Sequence, residues 1–390
     1  MSAARIAIVH ERFTEYGGSE AVVAEFIKTW PGAPVFAPIA DAPCTRALLT
    51  AAGLEVSEEG DSTEIPAAAA HLVRDSWLSR AYAASGRRSH APLLPLVPRV
   101  LRGLPLRDEF DAVVVSHHAF ATQAALATDA PVIAYVHSPA RWAWDRAFRA
   151  REAGGVAGQA ALTALGVMAR RNELRAAPRL AHVVANSQAV ADRVRDWWGL
   201  PASVVNPPVR VERFAPDPRV EREDFFLFAG RLVPYKRPDL AIRAARQAGV
   251  RLVILGDGRY RRQLESMAGP ETVFLGAASD EVLQDMYRRC RALLMPGVED
   301  FGIVPVEAMA CGAPVLAVGE GGALDTVVPG ISGEHVPAGS DDSVVAGFAR
   351  LMRDFDPSAY HAETIRKHAA TFSPESFRTR IADIVSRHSR

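Results

Sequence analysis

The chain has 390 residues, 49% of them hydrophobic and 23% charged, with 45 basic and 45 acidic side chains that cancel. That length predicts two domains of roughly 150 to 200 residues, and the balanced charge argues against a general nucleic-acid binder. The three cysteines, Cys44, Cys290 and Cys311, lack the spacing of a disulfide framework or a zinc site.

The apolar run ahead of His10 and Glu11, about six residues, is too short for a signal-peptide core. No apolar stretch reaches the roughly 18 residues of a spanning helix, so a cytoplasmic protein is expected. Short β-branched runs then recur between helical stretches: RIAIVH, DAVVVS, VIAYVH and HVVANS, followed by FFLFAG, RLVILG, TVFLG, ALLMPG and PVLAVG. Strands this apolar, separated by amphipathic helices, predict buried parallel strands in βα units. The fold class is α/β, with two doubly wound Rossmann-like domains.

The proline-rich stretch Val204 to Pro218 denies both helix and ladder hydrogen bonds, which places the junction there. The expected domains are residues 1–205 and 209–373. After Asp341 the chain reads as helices, and a last helix near 374–390 is open to packing on either domain, the first included. Ligands of such sheets bind at the carboxyl ends of the strands, so the strand-end loops are where chemistry is sought.

The first such loop, HERFTEYGGSE, has Gly17 and Gly18 available for positive backbone angles and close approach of a ligand, with Ser19 as an expected helix N-cap. Amides at that helix start suit a phosphate or a sugar hydroxyl, and a plain turn explains the glycines equally well. In the second half, Gly230-Arg231 ends one strand and Lys236 follows just before a proline-started helix. A guanidinium and an ammonium at a helix start make a diphosphate clamp. Gly256-Asp257-Gly258 ends the next strand, where a flat base can lie against the backbone or a simple turn suffices. In GVEDFGIVPVEAMACGAP, Glu299 and Glu307 flank the Phe301-Gly302 pair, and Pro305 predicts a helix start that puts Glu307 in its first turn. Asp325 follows a further glycine-rich strand end.

Together these residues resemble the retaining glycosyltransferases of family 4, whose two Rossmann-like domains face across a cleft in the GT-B fold. The resemblance is most specific from Phe228 to Gly333. It implies that Arg231 and Lys236 hold the donor diphosphate and stabilise the leaving group, and that Glu307 binds the nucleotide ribose. It also implies that Glu299 contacts the transferred sugar, with the amides of Phe301, Gly302 and Ile303 near its hydroxyls or the diphosphate. Gly17 and Gly18 would approach the diphosphate from the other domain. His137, in YVHSPARWAWDR, matches the family's strand-end histidine near the sugar, with His117 and His118 competing for the role. No nucleophile stands out and the metal-binding acid motif of other sugar-nucleotide enzymes is missing, so transfer with retention and without metal or cofactor is expected.

VHSPARWAWD and EDFGIVPVEA are similar to GDP-mannose-dependent mannosyltransferases of polysaccharide and glycolipid assembly. GDP-mannose is the expected donor, and a glycan or lipid-linked sugar the expected acceptor; Arg210 and Asp325 depart from that pattern. From His71 to Arg107 the chain carries Arg74, Arg80, Arg87, Arg88, Arg99, Arg102 and Arg107 against the single acid Asp75, interleaved with Trp77, Leu78, Tyr82 and APLLPLVPRVL. That composition suits anionic headgroups or a lipid diphosphate, an acceptor or membrane surface that also takes in Arg141, so peripheral contact at the inner face of the cell membrane is expected. The alternatives are another nucleotide sugar, a sugar-nucleotide epimerase and a non-catalytic sugar-binding protein.

Overall fold

Runs of Val, Ile, Leu and Ala that cannot face water on either side form the centre of each sheet in the computed structural model, which describes residues 4–55, 71–87, 89–146, 148–149 and 155–390. By its internal contacts the chain divides into two units, one of residues 1–208 with 377–390 and one of residues 209–376.

The first unit holds seven parallel strands: β1 (Ile6–His10), β2 (Val35–Phe36), β3 (Val73–Arg74), β4 (Ala112–His117), β5 (Val132–Val136), β6 (His182–Ala185) and β7 (Ser203–Val204). They run in the order β3-β2-β1-β4-β5-β6-β7, so the order reverses between β1 and β4. In that pair Ile8 lies beside Val114 and His10 beside Ser116. The second unit holds β8 (Phe226–Ala229), β9 (Leu252–Leu255), β10 (Thr272–Gly276), β11 (Leu293–Met295), β12 (Val315–Val318) and β13 (Gly333–Val336). Their order, β10-β9-β8-β11-β12-β13, reverses between β8 and β11.

Parallel strands must be joined by crossovers, and helices on both faces of each sheet supply them. The nine apolar runs all become strands, while β2, β3, β7 and β13 were not legible as strands in the sequence. The final helix, Pro374–His388, buries Phe377, Ile381, Ile384 and Val385 in the core of the first unit. There Phe377 stacks on Phe26 at 5.7 Å and meets Tyr135 edge-on, and Arg378 pairs with the buried Glu25. Burial of one such aromatic contributes about 1.5–3 kcal/mol. Among the described residues no helix is long and apolar enough to cross a membrane. All three cysteines are free and buried, and burial pushes each thiol up to about 12.

Candidate active site

In a doubly wound sheet the chain leaves the two central strands in opposite directions, which opens a crevice at their carboxyl ends. The second unit's crevice lies between β8 and β11, where the loops carrying Lys236 and Glu299 meet. Lys236 Nζ donates to Glu299 Oε1 at 2.6 Å, and both side chains are largely but not fully buried. Glycine makes the meeting possible. A β-carbon at Gly297 would sit 2.7 Å from the Lys236 backbone, and one at Gly256, whose φ is +140°, only 1.9 Å from the Gly230 carbonyl oxygen. The strand-end loops therefore pack main chain against main chain, as a site that admits a ligand close to the backbone requires.

Arg231 is exposed at the end of β8 and makes no ion pair among the described residues, so it does not join Lys236 in a closed pair. The helix that follows, Pro238–Ala248, is entered through Arg237 in a left-handed conformation. The Arg237 guanidinium is committed to Asp239 and Asp341. Asp257 is exposed and bonded within its own loop, accepting from the Gly258 amide at 2.7 Å and pairing with Arg261.

The helix after β11 begins at Ile303, capped by Gly302 with φ +91°, and runs to Ala310. Pro305 is thus its third residue and Glu307 its fifth, two residues deeper than the proline placed it and past the first turn, so the dipole argument for Glu307 in the first turn is corrected. Burial, with Asp280 nearby, raises the Glu307 carboxyl to about 7, against the pull of Arg210. The buried Tyr287 hydroxyl lies 3.4 Å from Glu307 Oε2. Phe301 points its ring into the core while its backbone stays at the loop.

The first unit's crevice lies between β1 and β4 and is built from side chains. Glu20 Oε2 accepts from the Gly17 amide at 2.9 Å and from Ser19 Oγ at 2.8 Å, and Glu20 Oε1 lies 3.2 Å from His10 Nε2. His10 Nδ1 is 2.9 Å from Ser116 Oγ, which is 2.8 Å from His137 Nε2. His118 stacks on His137 at 4.6 Å. Burial alone would raise the Glu20 carboxyl, but its bonds from His10 and Ser19 hold it at about 2. Burial pushes the His137 imidazole down to about 3, aided by His10, and pushes His118 well below its ordinary value.

Two expectations at the first loop are corrected. Gly17, not Ser19, caps the helix Gly18–Thr29, because the Ser19 hydroxyl is spent on Glu20. Gly17 is extended at φ −150° and Gly18 is helical, so neither uses a positive angle.

His117 does not compete with His137. It is buried against Glu173, 3.1 Å away, and that carboxylate also accepts from the Ala140 amide at 2.7 Å and the Trp144 indole at 2.5 Å. The WAW loop is held in place by this carboxylate, which the sequence did not single out. Glu11, equally unforeseen, accepts from the amides of Ala119, Phe120 and Ala121 and fixes the β4 loop. A strand-end acid is the only signal that could have flagged it.

In the arginine-rich stretch, Leu78 and Tyr82 are buried, so they are withdrawn from the surface expected to meet headgroups. Trp77 is 52% exposed and Leu96 40%, with Arg80, Arg99 and Arg107 exposed alongside. Arg87 pairs with Asp41 at 2.6 Å, and Arg102 donates to Gln123 and Asn172. Arg141 lies over the Phe148 ring and 3.8 Å from Asp145. Arg88 lies outside the described residues.

Residues 210–368 match the family model for Glycosyl transferases group 1, and residues 56–213 match that for Glycosyltransferase Family 4. The chain is 33% identical over 192 residues to a D-inositol 3-phosphate glycosyltransferase of Mycolicibacterium paratuberculosis, covering 44% of each chain. It is 32% identical over 237 residues to D-inositol 3-phosphate glycosyltransferase 2 of Catenulispora acidiphila, covering 53% of this chain and 56% of that one. It thus spans about half the length of the relatives it matches. Among solved structures, Anabaena HepE in complex with UDP and glucose covers 98% of this chain and 100% of its own, with 19% identity and a TM-score of 0.68. Sucrose-phosphate synthase of Thermosynechococcus elongatus covers 98% of both, with 16% identity and a TM-score of 0.66. With two matched regions that together run from residue 56 to residue 368, the chain groups with the family 4 glycosyltransferases of the GT-B fold.

Proposed function

We propose that the chain transfers a hexose from a nucleoside-diphosphate sugar to a hydroxyl of a glycan or lipid-linked sugar, with retention and without a metal ion. The observation that carries this reading is the Lys236–Glu299 pair at the β8/β11 crevice, 2.6 Å apart between glycine-spaced loops. Departure of the nucleotide builds negative charge on the leaving phosphate, and a cation held in place beforehand stabilises it without reorganising. Lys236 is positioned by Glu299, and Arg231 is uncommitted to any acid, so both have charge to offer a diphosphate. Glu299 faces the sugar from the same loop whose helix-start amides, at Phe301, Gly302 and Ile303, suit phosphate or hydroxyl oxygens. Glu307, raised to about 7, can donate as well as accept a hydrogen bond near neutrality and suits the two hydroxyls of a ribose.

GDP-mannose is the donor we propose first, on the resemblance of the VHSPARWAWD and EDFGIVPVEA stretches. A UDP-hexose is the second reading, favoured by the UDP and glucose held in the HepE structure. The acceptor is assigned to the amino-terminal unit, where exposed Trp77, Leu96, Arg80, Arg99 and Arg107 suit an anionic lipid surface at the inner face of the cell membrane.

The test is a thermal-shift and hydrolysis panel of GDP-mannose, UDP-glucose, ADP-glucose and dTDP-glucose. Stabilisation by GDP-mannose alone supports the first donor, and by UDP-glucose alone the second. Epimer or free sugar formed at full rate with no acceptor points to an epimerase; binding without turnover under any acceptor points to a sensor. Stabilisation by none of the four sinks the reading.

A further inference from the structure

The hydrogen bonds in the first unit's crevice form a line that ends on His137: Glu20, His10, Ser116, His137. The geometry points to Glu20 as a positioning residue that, through His10 and Ser116, holds His137 with its proton on Nε2 and leaves Nδ1 as a bare acceptor. This rests on the proposed function only in giving His137 a sugar to meet.

The direction of each bond follows from the chemistry of its ends. An ionised carboxylate accepts and cannot donate. Glu20 is already surrounded by donors, the Gly17 amide and the Ser19 hydroxyl, so its bond to His10 requires the proton on His10 Nε2. A neutral imidazole with Nε2–H has a lone pair on Nδ1, which takes the hydroxyl proton of Ser116. With its one proton given away, Ser116 Oγ can only accept from His137, which fixes the proton on His137 Nε2 and removes it from Nδ1. No other arrangement of neutral rings satisfies all three contacts.

The fold sets the spacing. His10 and Ser116 are direct neighbours in the β1/β4 pairing, and the His137 amide donates to the His117 carbonyl at the end of the adjacent strand. His118 stacked on His137 holds its ring plane. Among the described residues Nδ1 of His137 has no partner. A bare ring nitrogen accepts from a hydroxyl and cannot donate to an ether or carbonyl oxygen. The histidine is thereby set to select a sugar carrying a free hydroxyl at the position it meets.

The experiment uses the full-length protein labelled with 15N-histidine, at about pH 8, where an ordinary imidazole is neutral. Imidazole nitrogen shifts distinguish a protonated from a bare nitrogen, and loss of one set in His137→Gln assigns the residue. The expected wild-type pattern is a protonated Nε2 and a bare Nδ1. In Ser116→Ala, and separately in Glu20→Gln, whose amide can donate or accept, the pattern should move towards a mixture of tautomers. A protonated Nδ1 in the wild type, the outcome if His10 carries a charge and turns the chain around, overturns the inference, as does an unchanged pattern in both variants. In turnover, Ser116→Ala should lower kcat roughly 3- to 10-fold, the worth of one neutral hydrogen bond, at unchanged donor KM. If the spectra come out as expected and no donor is turned over by the wild type, the tautomer assignment stands and the proposed function fails.

Discussion

The two crevices occupy the same place in the same topology and are made of opposite materials. Between β1 and β4, acids and imidazoles are joined hydrogen bond to hydrogen bond, from Glu20 through His10 and Ser116 to His137. Between β8 and β11, glycine-spaced loops pack main chain against main chain, one ion pair joins them and Arg231 stands exposed. In a doubly wound sheet ligands bind where the strand order reverses, which points to a site at both. The strand-end residues decide what each is for. A cluster of neutral imidazoles suits hydroxyls, whereas cations at the strand-end loops suit an anion.

Breaking the Lys236–Glu299 pair from either side should give the largest effects. Lys236→Ala is expected to cut sugar transfer roughly 100- to 1,000-fold, with melting temperature little changed, as measured by product formation beside thermal unfolding. An equal loss from Gly17→Ala would erase the contrast between the crevices. Glu299→Ala should abolish measurable transfer while nucleoside diphosphate still binds, since Lys236 remains; unchanged turnover would remove Glu299 from the chemistry.

A purely structural break comes next. In Gly256→Ala the new carbon must displace the Gly230 carbonyl, so urea unfolding should show a loss of about 2–4 kcal/mol, and wild-type stability would mean that the loops are not packed as described.

The crevices should also respond to pH in opposite directions. His137 has a depressed folded value, so its contribution is present above the ordinary imidazole value and is lost as pH falls from about 6.5 towards about 3. Glu307 has a raised value, so its contribution is present below about 4.5 and is lost as pH rises through about 7. All six tryptophans lie within residues 30–198, so tryptophan fluorescence reports on the first unit alone. Its unfolding midpoint should fall on acidification, and His137→Gln should lessen that fall. Hydrogen exchange in the second unit should show protection declining between about pH 4.5 and 7, and Glu307→Gln should flatten the decline. The smallest effect expected is a several-fold weaker binding of Trp77→Ala/Arg80→Glu to vesicles rich in anionic lipid; equal binding would discard that surface.

Much of this was readable in the residues. Most of the nine apolar runs announce themselves as strands because both faces are covered and nearly every position is apolar, while β10, at the sheet edge, leaves Val273 and Leu275 exposed. The two-residue strands β2, β3 and β7 are too short to carry a period, and β13 opens on Gly333, a residue that weakens a strand by propensity. Lys236 and Glu299 were legible as strand-end residues, yet their contact depends on a glycine-permitted approach of two loops 63 positions apart. Glu307 was misplaced by reading Pro305 as the first helical residue, when Gly302 had already turned the chain into the helix. Glu20 and Ser116 were passed over because their meaning lies in strand register, which sets Ser116 beside His10 and is invisible until β1 and β4 are paired.

On the proposed function, Arg231 and Lys236 grip the pyrophosphate of an activated sugar at the end of β8. The most direct measurement is the structure of a complex with the nucleoside diphosphate identified by the donor panel. Phosphate oxygens should lie about 3 Å from Lys236 Nζ and within reach of the Arg231 guanidinium; phosphates seated away from both side chains would rule that grip out.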